Sequence, residues 1–278
     1  MNYIEVRIPK PNDETKSEIL IFDLAGIGFE SFSEEESVIL AYIPEKDFQQ
    51  EMLMTIAYCE LLLNKNEIDI KLIEDQNWNA VWESNYPPVM IANCCFIRAP
   101  FHDPDPEAEF NILLRPKMAF GTAHHETTAL MIETLLDEDV KGKTVLDMGC
   151  GTSVLAILAS LKGASGIKAI DNDHWAYENS LENVEINGIA NIEVLEGDAK
   201  DLPTDPVFDL VIANINKNIL LRDLNTYAPT LKNGGSIYLS GFYSDDLDDI
   251  KNEARKNGLV FVSVKTKNNW AAAVFKKQ

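Results

Sequence analysis

The chain has 278 residues, room for one large domain or two. Its 46% hydrophobic and 25% charged content is that of a folded soluble protein, with no apolar run near the roughly 20 residues that cross a bilayer. A formal charge of −21, from 24 basic and 45 acidic side chains with no basic patch, argues against direct binding of nucleic acid or an anionic membrane.

The amino terminus, MNYIEVRIPKPNDE, has no basic segment followed by an apolar core, so no signal peptide is expected. Tyr3, Ile4, Val6 and Ile8 predict a strand, closed by Pro9 and Pro11. Asn12 or Asp13 then caps a helix through about residue 26, with Ile19, Leu20, Phe22, Asp23 and Leu24 near its buried stripe. Strands follow at 29–32 and 38–43, across the polar turn SEEES. A second helix is expected over 46–64, with Phe48, Met52, Ile56 and Leu63 on one side, and a last strand through Ile68, Ile70, Leu72 and Ile73. The order βαββαβ is the split, ferredoxin-like plan. It holds no polar constellation of catalytic type, so residues 1–75 read as a recognition or packing module.

Residues 76–118 form a joint. Trp78 and Trp82, four apart, share one face of a linker helix over 76–90 that Pro87-Pro88 ends. Strands are expected at 90–98 and 109–114, separated by the loop FHDPDPEAE. The four cysteines, Cys59, Cys94, Cys95 and Cys150, form no CxxC pair, which is reduced, cytoplasmic usage. The run KMAFGTAHHETTALMIETLL puts a small, polar loop ahead of an apolar helix capped by Thr127 or Thr128. Adjacent His124 and His125 point apart, and no third ligand at zinc spacing follows, so no metal site is assigned.

From Thr144 onward strands and helices alternate. TVLDM is a buried strand, Gly149-Cys150-Gly151-Thr152-Ser153 a glycine turn, and 154–161 an apolar helix whose N-terminus offers free N–H groups. Strands at 166–170, 192–195, 208–213 and 236–242 alternate with helices at about 173–187, 216–232 and 245–257. Strands at 260–265 and 271–275 close the chain, joined by Asn268-Asn269, so the last one runs antiparallel. The class is α/β, a doubly wound, mostly parallel sheet.

Polar residues recur at strand ends: Gly149, Asp171, Asp198 and Asn214, which such a sheet brings to one edge. Asp171 lies 24 residues beyond Asp147, close to the roughly 20-residue offset at which an acid meets ribose hydroxyls. The third glycine of a dinucleotide fingerprint is missing, and Asp147 stands where a pyrophosphate would not welcome it. Carboxylates suit a nucleoside carrying positive charge, such as S-adenosylmethionine.

NWNAVW, AFGTAHHETT, LDMGCGTSVLAILA, AIDND, VIANI and the late SGF together resemble the class I S-adenosylmethionine methyltransferases, and more narrowly the bacterial family that methylates large-subunit ribosomal protein eleven. The AFGT–H–TT loop is the most specific of these, because generic methyltransferases lack it. The resemblance spans the whole chain. It implies a Rossmann-like methyltransferase domain with a seven-stranded, mostly parallel sheet (91–278), a linker (76–90) and a small N-terminal α+β ferredoxin-like domain that recognises the substrate (1–75). It implies S-adenosylmethionine as cofactor, without metal. Gly149 and Gly151 would hold the methionine part, Asp171 the ribose and Asp198 the adenine side. Thr128, Thr127 and Phe120 would contact the cofactor from the loop, and Asn214 would sit at the methyl donor as the catalytic residue. The implied substrate is a basic ribosomal protein, methylated on lysine side chains and its terminal amine by a monomeric, cytoplasmic enzyme. Three positions depart from the family pattern. Ala123 and Ser153 stand where glycines are usual, and Asn216-Lys217-Asn218 follows VIANI where small residues and a proline are common. If residue 123 takes positive φ, alanine is strained there by about 1 kcal/mol.

Overall fold

The computed structural model describes residues 2–11, 13–35, 37–73, 86–115, 117 and 120–278. The chain divides into two compact units, Met1–Val81 and Trp82–Gln278.

In the N-terminal unit, β1 (Tyr3–Pro9), β2 (Ser31–Glu34), β3 (Val38–Pro44) and β4 (Asp69–Ile73) form one sheet in the order β2-β3-β1-β4. Every neighbouring pair is antiparallel, as the ferredoxin-like plan requires. Along β1, Ile4, Val6 and Ile8 go into the core and Tyr3, Glu5 and Arg7 face outward, the two-residue period of a half-buried strand. Helix α1 (Glu14–Gly26) starts at Asp13, whose carboxylate accepts from Thr15 N at 2.9 Å and Lys16 N at 3.4 Å.

Two expectations fail here. The buried stripe of α1 is Ser17, Leu20 and Leu24, while Ile19, Phe22 and Asp23 face water. The helix carries apolar residues on two faces. The core takes the one on which small Ser17 sits beside two leucines. Second, 46–64 is not one helix. Short 3-10 turns cover Glu45–Asp47 and Gln50–Thr55, and α2 is only Ala57–Leu63. Phe48 and Ile56 hold extended backbone and interrupt the run, and the tighter turn puts Leu53 and Ile56, three apart, into the core with Cys59 and Leu62. The expected strand at 29–32 forms at Ser31–Glu34.

Trp78, Trp82 and most of the expected linker helix lie outside the described residues, and Val89 already belongs to a strand. The C-terminal unit begins with β5 (Val89–Ile91), β6 (Cys95–Arg98) and β7 (Phe110–Leu113), a small sheet in that order. The single strand expected at 90–98 is a hairpin instead. Ala92 (φ 50°) and Asn93 (φ 54°) both take left-handed backbone in the three-residue turn between Ile91 and Cys95, which Cys94 N closes by donating to Ile91 O at 3.1 Å.

Helix α3 (Glu126–Leu136) leads to β8 (Thr144–Met148), α4 (Val154–Leu161), β9 (Gly166–Asp171), α5 (His174–Ile186) and β10 (Ile192–Glu196). Then come β11 (Phe208–Asn214), α6 (Lys217–Thr230), β12 (Leu231–Tyr243), α7 (Leu247–Lys256), β13 (Leu259–Lys267) and β14 (Trp270–Lys277). Seven of these strands form one sheet in the order β10-β9-β8-β11-β12-β14-β13. The pairs from β10 to β12 are parallel, and β14 is antiparallel to both its neighbours. Asn268 (φ 48°) and Asn269 (φ 67°) make the predicted turn between β13 and β14. Alternate residues of each central strand feed two apolar cores: Val145 and Ile212 pack with α3 and α4, Leu146 and Val211 with α6 and α7. The chain runs from β8 outward to β10, then returns to β11 on the other side of β8. The switch point lies at the carboxyl ends of β8, β9 and β11. No described helix is long and apolar enough to cross a membrane.

Candidate active site

The glycine turn after β8 is bound to the next strand. Gly149 N and Cys150 N donate to Ile170 O at 2.8 and 3.1 Å, and Gly151 N donates to Asp171 Oδ2 at 2.8 Å. Both glycines take positive φ, 68° and 55°. A Cβ on Gly149 would collide with the Ile215 side chain, and one on Gly151 with the Phe120 carbonyl. Ser153, in place of a glycine, keeps left-handed backbone at φ 59°. Its buried hydroxyl shares a short hydrogen bond with Ser180.

The start of α4 is less open than expected. Val154 N donates to Thr152 Oγ1 at 3.4 Å, and Ala156 N to Asp147 Oδ2 at 3.1 Å. A phosphate would find these donors already engaged. Asp147 is fully enclosed, and burial pushes its carboxyl up to about 7, helped by Asp171 and opposed by the Ala156 N–H. Burial likewise raises the Cys150 thiol.

Asp171 ends β9. Its Oδ1 accepts from Asp173 N at 3.0 Å and its Oδ2 from Gly151 N, so each oxygen keeps a free lone-pair site. Its own carbonyl accepts from Gly197 N at 2.9 Å, which ties the end of β10 to this edge. Asp198 spends its side chain locally, accepting from Lys200 N at 2.7 Å and Lys200 Nζ at 3.3 Å. The first of these contacts leads in holding its carboxyl below the usual range.

The loop before α3 lies on the glycine turn. Phe120 O accepts from Thr152 N at 3.0 Å, and Gly121 O accepts from Thr152 Oγ1 at 2.7 Å. Tyr86 OH donates to Thr122 O at 2.6 Å. Ala123 sits at φ 68°, the strained conformation foreseen for it. The cap of α3 is His125, not Thr127 or Thr128: its Nδ1 accepts from Thr127 N at 3.2 Å and meets Thr127 Oγ1 at 2.8 Å. The helix begins at Glu126, so both threonines lie within its first turn, fully buried. His124 goes elsewhere, its Nδ1 3.1 Å from Thr122 O and its ring edge-on to Tyr86.

Asn214 closes β11 and is buried. Its Nδ2 donates to Thr128 Oγ1 at 3.4 Å, while its Oδ1 has no partner among the described residues. A buried amide oxygen left empty costs stability unless something binds it. Gly149, Gly151, Asp171, Phe120, Thr127, Thr128 and Asn214 thus form one connected cluster, with Asp198 on its β10 flank. Sequence reasoning missed Ile215, Trp270 and Tyr243. Gly241 at φ 93° leaves no space for a Cβ against the Ile215 backbone, and so seats Ile215 beside Gly149. Phe120, half exposed, lies 5.4 Å from His125; His125 lies 4.8 Å from Trp270, and Trp270 4.2 Å from Tyr243, centroid to centroid. The late SGF, and VIANI for Ile215, were the sequence signals for this region.

The family model for "Ribosomal protein L11 methyltransferase (PrmA)" matches residues 8–278. The chain belongs to that family. It is 47% identical over 278 residues to a ribosomal protein L11 methyltransferase of Phocaeicola vulgatus, covering 99% of each chain. It is 46% identical over 279 residues to one from Bacteroides fragilis, again with 99% of each covered. Among solved structures, a ribosomal protein L11 methylase from Lactobacillus delbrueckii subsp. bulgaricus superposes with a TM-score of 0.64 at 27% identity, covering 69% of this chain and all of that one. M. jannaschii TYW2 in complex with AdoMet shares the fold at TM-score 0.50 and 16% identity, covering 74% of this chain and 89% of that one.

Proposed function

We propose that this protein transfers methyl groups from S-adenosylmethionine to amines of ribosomal protein L11, on lysine side chains and the terminal amine, in the cytoplasm and as a monomer without metal. Family membership supports the reaction, and the empty, buried Oδ1 of Asn214 at the switch point carries the placement of its chemistry. The residues fit the cofactor. Gly149 and Gly151 let Ile215 and the Phe120 carbonyl close onto the turn, Asp171 has acceptor sites for a ribose diol, and the engaged start of α4 suits a ligand without phosphate. When bound, the cofactor supplies a methyl group already activated on a sulfonium.

The chain's residues then mainly align and desolvate. Asn214 Oδ1 accepts an N–H from the neutral substrate amine and fixes the direction of its lone pair. Thr128 holds the Asn214 amide from the other side, so that the carbonyl rather than the NH2 group is the free end. Thr127 acts through His125, locking the start of α3, while Phe120 covers the glycine turn. Asp198 faces the adenine side. No group in the cluster is a dedicated base, so the amine loses its proton to water before alignment.

The N-terminal unit is the recognition module. Residues 1–81 hold 17 acidic and 6 basic side chains, a field that attracts a basic protein and repels RNA. Incubating the enzyme with labelled cofactor, purified ribosomal proteins and ribosomal RNA tests the assignment. Label on L11 is the expected result. Label on RNA alone, or none while the cofactor binds, would overturn it.

A further inference from the structure

Helix α1 presents two apolar faces, and only one is used. Ser17, Leu20 and Leu24 pack on the sheet. On the opposite face Phe22 is 78% exposed and Ile19 54%. With 3.6 residues per turn, Phe22 lies near the middle of that face, flanked by Glu18 and Ile19 one turn back, with Glu14 and Asp23 at the margins. None of these three carboxylates makes an ion pair among the described residues.

A bare phenyl ring ringed by unpaired acids has the anatomy of a small interface, with an apolar anchor and a charged rim. The rim selects the partner. A second copy would set carboxylate against carboxylate, and nucleic acid would set phosphate against them. A surface with lysines or arginines around an apolar spot complements it. The field of the whole unit has the same sign: residues 1–81 carry a net −11 of the chain's −21.

We propose that the Phe22 face of α1 docks the basic protein substrate. The proposal rests on the reading that the N-terminal unit is the recognition module, and it assigns the contact to one helix face. The test uses the full chain. The double variant Ile19→Ser, Phe22→Ser raises KM for the protein substrate about 10-fold or more. Affinity for S-adenosylmethionine, measured by calorimetry, stays unchanged and shows that the C-terminal unit is intact, and wild-type hydrogen-exchange protection of the free variant over residues 3–9 and 38–44 shows that the N-terminal sheet is folded. Glu18→Lys raises the same KM by about 3-fold at low salt and by less at high salt. An unchanged KM in the double variant overturns the proposal. Hydrogen exchange of the wild-type protein with and without substrate separates it from the reading beneath. Protection over residues 14–26 supports both. Protection elsewhere in residues 2–73 but not at 14–26 overturns the α1 assignment alone. No protection anywhere in that unit overturns both.

Discussion

The two units place their polar groups in opposite ways. The N-terminal unit keeps them outside: Ser17 is the only buried polar side chain among its described residues, and charge covers its surface. The C-terminal unit draws them inside, with Thr127, Thr128, Asp147, Ser153, Asn183 and Asn214 all buried in it. Burying a polar group costs free energy unless a partner offsets it. Most of these have one within the chain, as Asn183 does in Thr152 O at 3.1 Å. Asn214 Oδ1 does not; Arg98 Nε, Glu182 Oε2 and Tyr227 OH share that lack among the described residues, but Asn214 is the one at the end of a central strand, at the sheet's switch point. One unit holds its charge where water and salt reach it, and the other holds a few dipoles enclosed.

Changes inside the C-terminal unit should therefore strike chemistry or cofactor, not substrate affinity. Asn214→Leu lowers kcat about 100- to 1000-fold, the range seen when one preorganised polar contact at a reacting centre is lost; cofactor affinity changes little. Stopped single-turnover assays and calorimetry check the split, and a large rise in protein KM with kcat intact would break the contrast between units. Asp171→Ala weakens cofactor binding about 100-fold, two charge-assisted hydrogen bonds at roughly 1.5 kcal/mol each. Calorimetric affinity within a factor of three of wild type would remove Asp171 from the ribose site.

Asp147 gives the C-terminal unit a pH signature. Its carboxyl is raised from 3.8 to about 7, mainly by burial, so the folded state holds a proton that the unfolded state releases. Its contribution to stability is full below about 3.8 and is lost as pH rises through about 7. Thermal melts from pH 4 to 8 should show Asp147→Asn declining less than wild type toward high pH; parallel curves would contradict this. The smallest effect expected is from Ala123→Gly. Relief of left-handed strain at φ 68° is offset by the greater freedom of unfolded glycine, leaving at most about 1 kcal/mol of added stability in urea denaturation. Destabilisation there would show that the methyl group packs usefully.

The same contrast explains what could be read before folding. β8, the glycine turn and α4 were legible because a buried parallel strand is continuously apolar and its turn needs glycine. The acids and amide at strand ends were legible because a parallel sheet orders those ends along one edge. Phe22 was misplaced because α1 has two apolar stripes and periodicity alone does not choose between them. The region 46–64 was misread because 3-10 turns also bury residues three apart. Trp270, Tyr243 and Ile215 escaped because they reach the site through pairings between distant segments, Tyr243 with Trp270 and Asn214 with Ser240, that no local pattern encodes. His125 took the cap from Thr127 through its ring nitrogen, a role usually filled by a short oxygen-bearing side chain.

The most direct measurement is mass spectrometry of purified L11 after incubation with enzyme and S-adenosylmethionine, read beside the Asn214→Leu variant. Wild-type enzyme should add whole-methyl increments that map to lysine side chains and the terminal amine, and the variant, while still binding cofactor, should add almost none. Unmodified L11 with a cofactor-loaded wild-type enzyme, or equal methylation by the variant, would contradict the assignment.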